Sequence, residues 1–230
     1  MAALNATERR LRRMLGELQK APDIEIFSPR TGEIALTDQD TDAPFAERCL
    51  VRFDQISAHW DLEGSGLSGE FCVSHPATAL TTKAPPDATE LMTPAVRQRY
   101  AEFRVLDDHP VSGTGEFAAL RIRPETPAPE IWYHASEFRL GGYRMDLDYC
   151  QYLEALTLTK GTFGWQYLFC DVSFTDDDFS GIAADLEEML DVFPELFPDH
   201  NYEPLSSRLT ERLRRPHRPH SENGDHDTQR

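Results

Sequence analysis

The chain has 230 residues, 40% hydrophobic and 10% aromatic, enough for one large packed domain. Its formal charge of −17 argues against nucleic acid and anionic membrane as partners, since phosphate is gripped by clustered Lys and Arg, and favours basic partners. No stretch approaches the roughly 18 apolar residues of a membrane span, and charges stand where a leader needs an apolar run, so a cytoplasmic location is expected.

In chain order, residues 7–19 have helical spacing, with Leu11, Met14, Leu15 and Leu18 on one face and arginines on the other. Thr7 or Asn5 suits its N-cap, and Pro22 ends it. Residues 23–27 alternate like a strand, 29–32 read as a turn and 33–37 as the return strand. Residues 49–53, 56–62 and 69–74 are predicted strands, and 79–87 reads as an internal linker and sub-boundary. A helix over 93–103 has Thr93 as N-cap and Pro94 behind it. Strands are predicted over 115–123, 130–135 and 138–145, the last around the Gly141-Gly142 turn.

Helices follow. Tyr149, Tyr152, Leu153, Leu156 and Thr157 share one face of a helix over 149–159, with Lys160 meeting its negative end and Gly161 in the left-handed cap. Residues 165–172 form a buried apolar element after a tight Gly164-Trp165 turn. Asp176, Asp177 and Asp178 are placed to cap the next helix, whose inward stripe is Ile182, Leu186, Met189, Leu190 and Phe193, with Pro194 and Pro198 limiting its extension. Leu205 and Leu209 mark a closing helix, and residues 214–230 lack the apolar content to order. Strands over 23–145, with helices at 7–19 and 146–213, predict an α+β fold with a mostly antiparallel sheet, in one domain over 1–213.

Catalytic vocabulary is sparse. Gly64-Ser-Gly-Leu-Ser-Gly69 matches a dinucleotide fingerprint literally, but a strand follows it rather than a helix, so it reads as a hairpin loop. Cys72 and His75 make only one pair of zinc-type ligands, and His217, His220 and His226 lie in the tail; no metal or cofactor is expected. Asp107-Asp-His109 before Pro110 reads as a polar turn, with a general-base pair as its alternative. Cys49, Cys72, Cys150 and Cys170 form no CxxC motif, and their apolar neighbours suit small buried hydrophobes in a reducing compartment.

Charge is uneven. Residues 146–203 hold 14 acids against the single base Lys160, while Arg9, Arg10, Arg12 and Arg13 at one end and Arg208, Arg212, Arg214, Arg215 and Arg218 at the other are basic. Two readings stand: an acidic face neutralised in cis by those ends, or a surface for a basic partner.

The segments Asp146-Leu-Asp-Tyr149, Tyr152-Leu-Glu-Ala155, Thr159-Lys-Gly-Thr-Phe-Gly-Trp-Gln-Tyr-Leu-Phe169 and Phe193-Pro-Glu-Leu-Phe-Pro-Asp-His-Asn-Tyr202, followed by Pro204-Leu205, resemble bacterial proteins of the SMI1/KNR4 kind in the SUKH superfamily. The likeness covers about 103–213; after Leu18 the chain lacks the Asn-Gly turn usual in members. It implies a non-enzymatic α+β domain, and relatives are often immunity proteins that neutralise toxins, many of them basic nucleases. The expected function is therefore protein binding, with a basic toxin domain as the specific partner. The partner-binding candidates are Asp176, Asp177, Asp178, Glu187, Glu188 and Asp191, with Tyr202 as an aromatic anchor. The alternatives are an enzyme whose Asp107, His109 and His134 meet across the sheet, and a scaffold tethered by the Arg9–Arg13 helix or the Arg-rich tail.

Overall fold

The computed structural model of the chain describes residues 5–32, 44–49, 51–84, 92–126, 128–135 and 142–216. Helix α1 (Ala6–Lys20) starts at Asn5, whose side chain accepts the Glu8 N–H while the Glu8 carboxylate accepts the Asn5 N–H. Strand β1 (Ile24–Thr31) then runs straight through the turn predicted at 29–32, with a register slip between Phe27 and Arg30 and Ser28 at φ 49°. As an edge strand β1 tolerates the missing N–H of Pro29. The return strand predicted at 33–37 lies outside the described residues.

The strand predicted at 49–53 is not formed among its described residues, 49 and 51–53. A 3-10 turn occupies Pro44–Cys49, and the Arg52 N–H donates to the Glu8 carboxylate instead of to a neighbouring strand. Strands β2 (Gln55–Leu62) and β3 (Ser68–Ser74) form the expected hairpin around Gly64. Gly69 belongs to the packing: a Cβ there would lie 2.7 Å from the Trp60 ring and 2.6 Å from the Gly161 carbonyl. Where a linker was predicted, α2 (Pro76–Thr81) packs on β4 (Phe103–Asp108), and Lys83 bridges to Arg104. The sheet continues across that position, with residues 85–91 outside the described set. Helix α3 (Pro94–Ala101) is capped by Thr93 as predicted.

β4 carries Asp107 and Asp108 in a strand rather than a turn, because Phe103 and Val105 pack on one face and Leu106 on the other across a bulge. Strands β5 (Phe117–Arg121), β6 (Glu130–His134) and β7 (Tyr143–Arg144) complete a seven-stranded sheet in chain order, antiparallel throughout. The α+β fold class is as expected. One face buries the larger core, including Trp60, Phe71, Tyr133, Tyr152 and Trp165, under α1 and the C-terminal helices. The other face, with Phe103, Phe117 and Trp132, packs with Tyr100 of α3.

Helix α4 (Tyr149–Thr159) starts at a second capping box, Asp148 with Gln151. Its left-handed cap is Lys160 (φ 52°), one residue before the predicted Gly161, which is left-handed as well (φ 76°). A buried 3-10 turn, Trp165–Phe169, follows Gly164. The Asp176–Asp178 triplet sits at the 3-10 turn ahead of α5 (Ser180–Leu196); Asp176, at the cap position of that turn, makes no side-chain cap bond, and the cap position of α5 itself is Phe179. Pro194 lies inside the last turn of α5. Helix α6 (Glu203–Arg214) closes the fold; the tail from residue 217 lies outside the described residues.

The cysteine expectation is half corrected. Cys72 and Cys170 are free and buried, but Cys49 and Cys150 form a disulfide across 101 positions, joining the Pro44–Cys49 turn to the first turn of α4. Sequence spacing carries no sign of it because the two elements meet only in the fold. Among the described residues no helix is long and apolar enough to cross a membrane.

Candidate functional site

The acids of residues 146–203 divide into two groups. Asp146 pairs with Arg208 (2.8 Å), Asp148 with Arg48 (3.3 Å), Glu154 with Arg10 (2.8 Å) and Asp199 with Arg13 (2.7 Å). Asp171 pairs with Arg215. Arginines of both basic ends, together with Arg48, thus pair with these acids beside α4 and α6. On α5 the pattern changes: Asp185, Glu187, Glu188, Asp191 and Glu195 share a helix without Lys or Arg, and none makes an ion pair among the described residues. Burial and the neighbouring Glu188 charge raise the Asp185 carboxyl, as expected of acids crowded without counter-ions.

Of the predicted partner-binding residues, Asp177, Asp178, Glu187 and Asp191 are exposed. Glu188 is half-buried and accepts the Ser65 hydroxyl at 2.7 Å, which ties it to the β2–β3 hairpin. Two candidates are not on the surface. Asp176 is 6% exposed, held in a tight turn between buried Phe174 and Phe179. Tyr202 is 5% exposed, with its ring against Phe193 and His200, so it anchors the start of α6 rather than a partner.

The Asp107, His109 and His134 constellation does not assemble. One row across the strands is Asp107, Ala118 and Tyr133; the next is Asp108, Phe117 and His134. Successive rows face opposite sides of a sheet, so His134 joins the α3 face, against Tyr100 and Phe117 at 5.3 and 4.8 Å. Asp107 faces α4, where it accepts the Tyr152 hydroxyl (2.7 Å) and the Cys72 N–H (2.6 Å). Burial raises its carboxyl to about 6, against the pull of His109 and these donors. His109 is also buried, which lowers its pKa, but Glu116 at 3.4 Å and the charges of Asp107 and Glu70 outweigh this and raise it. Glu70, 1% exposed, accepts the N–H groups of Val111 and Ser112 and fixes the β4–β5 connection to β3. Asp107, His109 and Glu70 each have hydrogen-bond partners inside the fold and are buried. A surface hollow lies elsewhere, on α6, lined by Glu203, Ser206, Ser207, Thr210, Glu211 and Arg214.

Lys160 has a role that its position in the sequence did not reveal. Its side chain is fully buried, donating from Nζ to Glu17 (2.8 Å) and the Thr157 carbonyl (3.3 Å) and lying 4.2 Å from the Phe197 ring centre. Glu17 also meets His200 and Arg13, so α1, α4 and the α5–α6 connection join at one carboxylate. The charge balance around Lys160, a lone base among acids, is the one sequence signal that singled it out.

His75 caps α2, its Nδ1 accepting the Ala77 N–H. Among the described residues no cluster of His, Cys, Asp and Glu is placed to hold a metal ion. Comparison of the chain with protein-family models, curated proteins and solved structures finds no match.

Proposed function

We propose that the chain is a non-enzymatic binding domain that presents the outer face of α5 to a basic protein. The observation that carries this reading is the division of charge: Asp146, Asp148, Glu154, Asp171 and Asp199 are paired in cis, and among the described residues the acids of α5 are not. Uncompensated like charge on one helix costs stability through self-repulsion and is regained when a complementary surface docks. Asp177, Glu187 and Asp191 are the primary contacts, with Glu188 at the edge. Within this reading, neutralising a basic nuclease-like toxin is the specific role that the SMI1/KNR4 resemblance implies, exercised in the cytoplasm.

The test is capture of partners from the native cytosol by the wild-type chain and by a Glu187→Lys, Asp191→Lys variant, followed by association kinetics on the captured protein. A basic protein should be retained by wild type alone, with an association rate that falls steeply with salt. Equal capture by both chains overturns the proposal.

A further inference from the structure

We propose that Cys49 and Cys150 form a reversible thiol–disulfide latch that clamps the Pro44–Cys49 turn onto the start of α4. The pairing is selective. Cys72 and Cys170 are buried, and burial pushes both thiols well up, leaving neither able to exchange with the bonded pair. Cys150 is half-buried in the first turn of α4, whereas Cys49 is 4% exposed. The Cys150 sulfur is therefore the entry point for an outside thiol.

The latch holds a turn that is seated on the main core by Ala46 and Cys49, with Phe45 packed at its edge. Among the described residues no strand ladder includes it; it keeps the exposed Arg48–Asp148 pair at 3.3 Å and an edge contact of Phe45 with Tyr149 at 5.6 Å. Breaking the bond therefore loosens the turn and leaves the sheet intact. The effect reaches α1 through Arg52, shortly after the turn, which donates its backbone N–H, Nε and Nη2 to the buried Glu8 carboxylate at 2.8, 3.0 and 2.8 Å. Glu8 also closes the α1 capping box, so the redox state of the two sulfurs sets how firmly the start of α1 is held.

Closure needs a small-molecule disulfide as oxidant. The Cys150 thiolate attacks one of its sulfurs and expels a thiolate. The Cys49 thiolate then attacks the Cys150 sulfur of the mixed disulfide, forms the protein bond and expels the second. The protein loses two electrons and two protons, which leave on the two small thiols, and a dithiol reverses the exchange. A reducing cytosol would hold the latch open and oxidative conditions would close it.

The test uses the full chain, treated with glutathione disulfide or dithiothreitol, with thiols counted by alkylation after denaturation and amide exchange followed by peptide. After the oxidant, alkylation should find only Cys72 and Cys170, and after dithiothreitol all four cysteines. Reduction should speed exchange about tenfold or more around 44–54, the start of α1 and the start of α4, with the β2–β3 hairpin unchanged. Cys150→Ser should match the reduced wild type and ignore dithiothreitol. The proposal is overturned by four free thiols after the oxidant, by unchanged exchange around 44–54, or by loss of protection across the whole sheet.

Discussion

The outer face of α5 and the junction of α1 with α4 use the same residue types in opposite ways. At the junction, Glu17, Lys160, His200, Arg13 and Asp199 satisfy one another, and Lys160 is fully buried. On α5, Glu187, Asp191 and Glu195 face solvent with no counter-ion among the described residues. Paired charge inside the fold is part of its architecture. Unpaired charge on the surface adds little to folding and remains free for a partner.

The comparison can be broken from its strong side first. Lys160→Ala removes one partner of the buried pair and should cost about 3 kcal/mol in urea unfolding. A loss below about 1 kcal/mol would place the junction on a par with surface pairs.

Next comes Asp107, a buried carboxyl on the sheet. Its folded carboxyl titrates near 6 against an ordinary value of 3.8, so between those values the folded state keeps a proton that the unfolded chain has lost. Stability should fall as pH rises through that window, by about 3 kcal/mol at most. The raised His109 extends the decline, since its contribution is present below 6.5 and lost as pH rises through its folded value. Asp107→Asn should flatten the profile between pH 4 and 6, measured as the urea midpoint against pH; an unchanged slope would remove Asp107 as its source.

The smallest expected effect on folding is the most telling for function. Glu187→Lys with Asp191→Lys should change stability by no more than about 0.5 kcal/mol while slowing association with a basic partner about tenfold. A loss of 2 kcal/mol or more in the same urea assay would make the α5 face structural and erase the contrast with the junction.

Much of the frame could be read from local pattern. The spacing of Leu11, Met14, Leu15 and Leu18, the Thr93-Pro94 start and the alternation of β2 survive in the fold because each depends on near neighbours. The failures share a cause. Pro29 reads as a turn, but an edge strand tolerates it, and Asp107 reads as a turn residue, but Tyr152, 45 positions away, receives it in a strand. For the candidate site, composition located the acidic stretch but not its exposed part. Asp176 and Tyr202 looked available until Phe174, Phe179 and Phe193 packed around them.

The sequence by itself determined the α+β class, most helix starts and the concentration of acid after residue 146, since these follow from periodicity, capping residues and composition. Only the tertiary structure decided which acids meet a counter-ion, which face of the sheet His134 takes and that Cys49 meets Cys150. The physical reason is range. Helix periodicity and caps act over a few residues, whereas ion pairs, strand rows and disulfides join positions up to 186 apart, as Arg13 and Asp199 are, and exist only once the chain has folded.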